Sequence, residues 1–233
     1  MEINKKLSII IPVLNEESTI EEILERVECA PILNYEKEII IVDDGSSDNT
    51  KEILRNIKEK YNLIILEHQK TMGKGKALQT GFKEVSGNLV IIQDADLEYD
   101  PQDWIHLLKE LNDPKIGAIY GSRNINSEKK GYFHYVLGVK FLTFFSNLLF
   151  RTKLTDIYTC YKLFPANLIK SFKLDSDGFE IEAEMTAKIL NKGLIIKEVP
   201  ISYNPRKFGQ GKKIRFKDGL VGLWTIAKYR FLP

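Results

Sequence analysis

The sequence predicts an α/β protein built on a mostly parallel sheet with helices on both faces. Two observations carry this. Short β-branched apolar runs alternate with amphipathic stretches through the first half of the chain. Polar turns rich in Asp, Asn and Gly close several of those runs at one end. The bulk composition agrees: of 233 residues, 43% are hydrophobic and 28% charged, which excludes collagen-like, low-complexity and wholly disordered chains. The length suits one large α/β domain or two small ones.

In chain order, Leu7–Val13 reads as a buried strand, and Ser18–Val27 as a helix with Ile20, Ile23, Leu24 and Val27 on one face. Glu38–Val42 is a second strand. The turn Asp43-Asp44-Gly45-Ser46-Ser47-Asp48 then caps a helix carrying Ile53, Leu54 and Ile57. Leu63–Leu66 is a third strand, Gly75–Val85 a helix, and Asn88–Gln93 a fourth strand. Pro101–Leu111 is a helix with Pro in its first turn, and Ile116–Tyr120 another strand. Glu180, Glu182 and Glu184 fall on the polar side of a helix carrying Ile181, Met185 and Ile189.

Two later segments depart from this alternation. Residues 132–150 are almost continuously apolar or aromatic, with Lys140 the one full charge. Nineteen helical residues span roughly 28 Å, just enough to cross a bilayer, but Lys140 and the polar His134, Thr143, Ser146 and Asn147 argue instead for an interfacial helix. From 215 to 231, Phe216, Leu220, Leu223, Trp224, Ala227 and Phe231 alternate with Arg215, Lys217, Lys228 and Arg230, a basic amphipathic helix. The net charge of +2 hides this asymmetry. Residues 203–233 carry Arg206, Lys207, Lys212, Lys213, Arg215, Lys217, Lys228 and Arg230 against Asp218 alone, which points to phosphates or an anionic membrane surface. The expected division is therefore a catalytic domain over 1–202 and a basic, membrane-associating segment over 203–233. Cys29 and Cys160 give neither a disulfide framework nor a metal spacing. The first apolar run contains Pro12 and leads into Glu16-Glu17, which does not fit a secretory signal.

Chemistry concentrates at strand ends. Asp94-Ala95-Asp96-Leu97-Glu98 follows the fourth strand, and two carboxylates at i and i+2 on such a turn can converge on Mg²⁺ or Mn²⁺, hard cations that bridge to substrate phosphates. Asn15-Glu16 ends the first strand and Asp43-Asp44 the second, so three strands of one parallel sheet present carboxylates at the same edge. Together they indicate a nucleotide-and-metal site, with Asp44 able to accept from a base N–H or a ribose hydroxyl. Gly73-Lys74-Gly75-Lys76 lacks Walker A spacing, and no Gly-x-Gly-x-x-Gly follows the first strand, which disfavours P-loop and dinucleotide chemistry. The small residues of that turn also suit a helix N-terminus. His68, His106 and His134 have no partner at motif spacing and read as packing or surface residues.

The ordered set Ile11-Pro12-Val13-Leu14-Asn15-Glu16, Val42-Asp43-Asp44-Gly45-Ser46, Gly73-Lys74-Gly75-Lys76-Ala77, Asp94-Ala95-Asp96-Leu97-Glu98, Gly121-Ser122-Arg123, Asp156–Lys162, Gly178–Glu182 and Glu198-Val199-Pro200-Ile201, with Arg206 and Lys212-Lys213 beyond, resembles family 2 glycosyltransferases. Within them it resembles the dolichol-phosphate mannose synthase-like branch, the polyprenyl-phosphate sugar synthases. The resemblance covers roughly residues 7–220. It implies a GT-A fold, a nucleotide-diphosphate sugar donor and an inverting transfer. By position, Pro12, Leu14, Glu16, Val42 and Asp44 would hold the nucleoside. Asp94 and Ala95 would lie at the ribose and diphosphate, and Asp96 with Glu98 and Asp94 would bind the metal. Arg123, Arg206 and Lys212 would lie near donor or acceptor phosphates, with Asp94, Asp96, Arg123 and Arg206 carrying catalysis. By the same resemblance Lys76 would touch phosphate beside the donor. Glu180, Glu182 and Glu184, otherwise the polar side of their helix, would lie near the acceptor. Some relatives have an aromatic residue at Leu14 and Gln at Glu98.

The resulting expectation is a peripheral, monotopic enzyme on the cytoplasmic face of a membrane. It would move a hexose from GDP-mannose, or secondarily UDP-glucose, to dolichyl or another polyprenyl phosphate, with Mg²⁺ or Mn²⁺ as cofactor and no nucleic-acid partner. A non-lipid acceptor, polysaccharide or protein, is the same-fold alternative, and a non-catalytic nucleotide-sugar-binding module the alternative from another class.

Overall fold

A computed structural model describes residues 5–125, 133–206 and 216–232. Its centre is a seven-stranded sheet. The strands are β1 (Lys6–Val13), β2 (Glu36–Asp43), β3 (Ile64–Glu67), β4 (Leu89–Ile92), β5 (Ile116–Ser122), β6 (Lys162–Pro165) and β7 (Ile195–Pro200), in spatial order β3-β2-β1-β4-β6-β5-β7. Pairings β1–β2, β1–β4, β2–β3 and β5–β7 are parallel, while β6 runs antiparallel to β4 and β5. Leu7, Ile9, Ile10 and Ile11 of β1 and Val90, Ile91 and Ile92 of β4 are all buried. A strand that buries successive residues must be covered on both faces, and the continuous apolar runs of the sequence reflect that.

The covering helices are α1 (Ile20–Cys29), α2 (Thr50–Ile57), α3 (Lys74–Glu84), α4 (Trp104–Glu110), α5 (Phe133–Phe150), α6 (Ala166–Lys170), α7 (Ile181–Asn191) and α8 (Phe216–Phe231). Asp100 accepts the Gln102 N–H at 3.0 Å and opens a 3₁₀ turn over Pro101–Asp103, so the expected Pro101–Leu111 helix divides into that turn and α4. Strands β6 and β7 had no counterpart among the expected elements. Strand β6 has four residues and begins with a lysine, and β7 interrupts its apolar pattern with Lys197-Glu198.

Helix α8 packs against both α5 and α7. Thr225, Ile226 and Tyr229 face inward, and Gly222 lies so close to Tyr158 that a Cβ there would stand 2.0 Å from the phenol oxygen. Leu220, Val221, Trp224 and Phe231 are exposed, as are Leu137, Phe141, Phe144 and Leu148 of α5. One residue of the expected interfacial stripe is thus misassigned: Leu223 packs against the core, and Val221 takes its place outside. Among the described residues, no helix is long and apolar enough to cross a membrane.

Candidate active site

The ends of β1, β2 and β4 meet at one edge of the sheet, and the turns that leave them are laced together by short-range polar bonds. Asn15 adopts a left-handed conformation (φ 52°), and its amide oxygen accepts the Ser47 N–H at 2.8 Å. Ser46 Oγ accepts the Asn15 N–H at 2.9 Å, and Thr50 Oγ1 accepts that of Glu16 at 2.9 Å. The Asp43-Asp44-Gly45-Ser46 turn therefore fixes the turn that carries Leu14 and Glu16. Pro12 and Val42 are register neighbours on β1 and β2. Val42 and Ala95 are buried, so neither side chain lines an open surface.

Asp44 is buried, and its carboxylate is heavily engaged. Oδ1 accepts the Met72 N–H at 2.9 Å, Oδ2 accepts the Gly73 N–H at 2.8 Å, and His68 Nδ1 lies 2.6 Å from Oδ1. The other ring nitrogen of His68 lies 3.0 Å from Thr80 Oγ1. His68 thus has a partner that motif spacing does not reveal, supplied by the parallel pairing of β2 and β3. Through these bonds Asp44 orders the Met72-Gly73 turn that begins α3.

That turn delivers Lys74, whose partners motif spacing does not reveal. Gly73 (φ 105°) and Gly75 pack on the Ser176–Gly178 backbone, where added Cβ atoms would come within 2.3 Å of Asp177 O and 2.2 Å of Ser176 O. These glycines serve close packing, and they aim Lys74 between Asp94 and Glu182. Its ammonium stands 2.8 Å from Asp94 Oδ1, 3.1 Å from Oδ2 and 3.2 Å from Glu182 Oε1. Burial opposes this charge, but Asp94 and Glu182 overcome it and hold Lys74 well above the usual lysine range. Lys76 instead pairs with Asp177 at 3.8 Å. Glu182 in turn receives the wholly buried Lys162 at 2.5 Å, whose ammonium also donates to the Ile157 and Thr159 carbonyls.

Asp96 lies near Asp94 and Glu98 on a turn whose Leu97 is also left-handed (φ 61°). Burial, then the charges of Asp94 and Glu98, push Asp96 up to about 7, with Arg206 opposing. Glu98 is committed: Oε1 accepts the Arg206 N–H at 2.8 Å, and Oε2 accepts the Tyr203 hydroxyl at 2.8 Å. The Arg206 guanidinium donates to Glu16 Oε2 at 2.6 Å and to the Asp96 carbonyl at 3.0 Å. Arg123 forms a forked pair with fully buried Asp156, at 2.7 and 2.8 Å, and its guanidinium lies 5.3 Å from the Tyr203 ring. Glu198 orders Asp156 by accepting the N–H groups of Thr155 and Asp156.

The structure thus gathers Glu16, Asp94, Asp96, Glu98 and Arg206, with Tyr203 linking Glu98 to Arg123. Lys212 lies outside the described residues. No group of three or more His, Cys, Asp or Glu side chains among the described residues is arranged to hold a metal ion. The donor chemistry nonetheless fits a hard divalent cation. Asp96 is an oxygen ligand whose ionisation is opposed by burial and neighbouring carboxylates, and a dication would relieve that opposition. Asp94 and Asp96 would hold it, with Glu98 beside them already accepting two protein hydrogen bonds.

A mostly parallel sheet with an acidic cluster where β1, β2 and β4 end, flanked by helices on both faces, defines a GT-A fold. Residues 8–172 match the family described as glycosyl transferase family 2, and the chain belongs to it. Among relatives, a dodecaprenyl-phosphate galacturonate synthase of Rhizobium johnstonii is 28% identical across 98% of this chain and 69% of its own. A dolichol-phosphate mannosyltransferase of Pyrococcus furiosus is 31% identical across 89% of this chain, which spans only 59% of that relative. A poly-beta-1,6-N-acetyl-D-glucosamine synthase of Staphylococcus aureus is 38% identical across 52% of this chain and 29% of its own. The first two are polyprenyl-phosphate sugar synthases by name, the branch that the motifs resemble. The fold is shared with glucosyl-3-phosphoglycerate synthase of Mycobacterium tuberculosis bound to UDP, with TM-score 0.75 over 98% of this chain and 81% of that one at 18% identity. The same enzyme is also known with Mn²⁺ and UDP bound, with TM-score 0.73 over the same shares of both chains.

Proposed function

We propose that this protein is an inverting, metal-dependent hexosyltransferase acting at a membrane surface. Its donor would be a nucleotide-diphosphate sugar, GDP-mannose first and UDP-glucose second, and its acceptor a dolichyl-type polyprenyl phosphate. The observation that carries the acceptor is the exposed apolar face shared by α5 and α8, with Leu137, Phe141, Phe144 and Leu148 on one helix and Leu220, Val221, Trp224 and Phe231 on the other. Apolar side chains so concentrated on two packed helices suit a lipid surface, and the basic 203–233 segment suits its anionic headgroups. In this reading 1–202 is the catalytic domain, 203–233 the membrane-associating segment, and the protein is peripheral, on the cytoplasmic face.

Transfer from an anomeric carbon builds negative charge on the departing diphosphate. A divalent cation between Asp94 and Asp96 would neutralise that charge. Arg206 sits at the same edge to supply a second cation. Pro12, Leu14 and Glu16 would border the nucleoside, with the buried Val42, Asp44 and Ala95 shaping that edge from within rather than lining it. Arg123 and Lys212 are assigned to donor or acceptor phosphates. A lipid phosphate is already an anionic nucleophile, so orientation outweighs proton abstraction. The carboxylates of α7 agree: Glu182 is bound by two lysines, and Glu184 accepts the Asp175 and Ser176 N–H groups.

The resemblance of about half the chain, 52% of it, to a poly-beta-1,6-N-acetyl-D-glucosamine synthase supports a second reading, a carbohydrate acceptor. One assay decides. Purified protein with Mn²⁺ is given labelled GDP-mannose, UDP-glucose or UDP-N-acetylglucosamine, each with polyprenyl phosphate or an N-acetylglucosamine oligomer. Label in the lipid from GDP-mannose or UDP-glucose is the expected result. Label in the oligomer alone would replace the lipid acceptor, and none in either product would overturn both readings.

A further inference from the structure

The Lys74 ammonium occupies an unusual position for an enzyme expected to bind a dication. It touches both oxygens of Asp94, at 2.8 and 3.1 Å, and so partly neutralises a carboxylate assigned to the metal. The placement is built rather than incidental. Asp44 pins the Met72 and Gly73 N–H groups, and Gly73 and Gly75 let the turn press against the Ser176–Gly178 backbone. Glu182 holds the far side of the ammonium, and Glu182 is itself fixed by Lys162, whose Nζ is bonded to two carbonyls deep in the core. The row Asp94, Lys74, Glu182, Lys162 alternates in sign from the edge of the site into the interior.

A dication approaching Asp94 meets a like charge already in contact with that carboxylate. A donor diphosphate brings a new anionic partner for the same ammonium. We propose that Lys74 is a resident cation that holds Asp94 in the free protein and is drawn off by the donor's diphosphate, so that donor binding and metal binding reinforce each other. This rests on the nucleotide-sugar reading above for the identity of the anion. Lys74 is then a positioning residue for the metal site, and Glu182 sets how completely it leaves Asp94. By linkage, the gain that nucleotide gives to metal equals the gain that metal gives to nucleotide.

The test is Mn²⁺ binding followed by electron paramagnetic resonance, with metal alone and with GDP or UDP present. In the wild type, Mn²⁺ binds more tightly once the nucleoside diphosphate is added. Lys74→Met removes the competing charge, so Mn²⁺ alone binds about tenfold tighter and most of the nucleotide-dependent gain disappears. Glu182→Gln leaves Lys74 wholly to Asp94, so Mn²⁺ alone binds more weakly. A purely structural role would weaken binding in both variants, so the opposite signs are diagnostic. Thermal melting checks each fold, and Lys74→Gln, which retains a donor toward both carboxylates, repeats the measurement should Lys74→Met not fold. Unchanged or weaker Mn²⁺ binding in a folded, uncharged Lys74 variant overturns the inference. Wild-type protein that binds neither GDP nor UDP removes the nucleotide-sugar reading, and the Mn²⁺-only measurements still decide whether Lys74 competes at Asp94.

Discussion

At the residue scale, Asp96 carries the clearest pH signature. Burial and its neighbours Asp94 and Glu98 raise it from an ordinary 3.8 to about 7. A raised carboxyl pKa means that the folded state binds the proton more tightly than the unfolded chain. Its stabilising contribution is therefore complete below about pH 4 and is lost as pH rises through about 7. A dication reverses the preference by favouring the carboxylate. Mn²⁺ is accordingly expected to raise the melting temperature more at pH 8 than at pH 5, and Asp96→Asn to abolish most of that difference. Calorimetry at the two pH values measures it, and the same variant should lack transferase turnover with its fold intact. Arg123 gives a second residue-scale expectation. Arg123→Ala strands the buried Asp156 carboxylate without its counter-ion, a change that typically costs about 3–5 kcal/mol. Urea denaturation reads that loss directly, and Arg123→Lys is expected to recover only part, because a lysine cannot reproduce the fork.

At the element scale, α8 shows how one helix divides its faces between packing and solvent. Ile226 and Tyr229 anchor it, and Asn191 of α7 donates to the Tyr229 carbonyl. Its outward face is free to meet another phase. Burying a large apolar side chain contributes about 1.5–3 kcal/mol, so replacing three is expected to weaken membrane binding at least about a hundredfold. The variant is Leu220, Val221 and Trp224, each changed to Ser, measured by sedimentation with anionic vesicles. Its melting temperature should change little, since all three side chains are exposed. Including Leu223 would confuse the result, because that residue packs against the core.

At the scale of the whole molecule, the site is closed by residues far apart in the chain. The segment from Ile201 to Arg206 crosses back over the β4 turn: Asp103 accepts the Ser202 N–H, Glu98 accepts from Tyr203 and Arg206, and Arg206 reaches Glu16 beyond the end of β1. Glu16 retains its bond from Thr19 if the arginine is lost, so the turn should persist. Arg206→Ala is therefore expected to lower kcat/KM about a hundredfold, the scale on which removing one charge-stabilising donor acts, with little change in melting temperature. Steady-state kinetics beside a thermal melt separates the two. A parallel loss of activity and stability would assign Arg206 to structure alone.

The sequence by itself determined the parallel core and the acidic edge. Strands buried on both faces must be continuously apolar, and the polar turns ending β1, β2 and β4 mark the side where Glu16, Asp44, Asp94 and Asp96 gather. The order of its motifs was also enough to show the family resemblance. Tertiary structure alone decided the partners. Nothing local pairs Asp44 with His68, Arg123 with Asp156, or Lys74 with Asp94 and Glu182, because each contact joins residues brought together by strand pairing or helix packing. Lys162 opens a strand that its charge conceals, since a lysine reads as surface until Glu182 and two carbonyls are found around it. Leu223 and Val221 exchange places for the same reason: the apolar period marks a helix, but only its neighbours α5 and α7 determine which side is turned to the core.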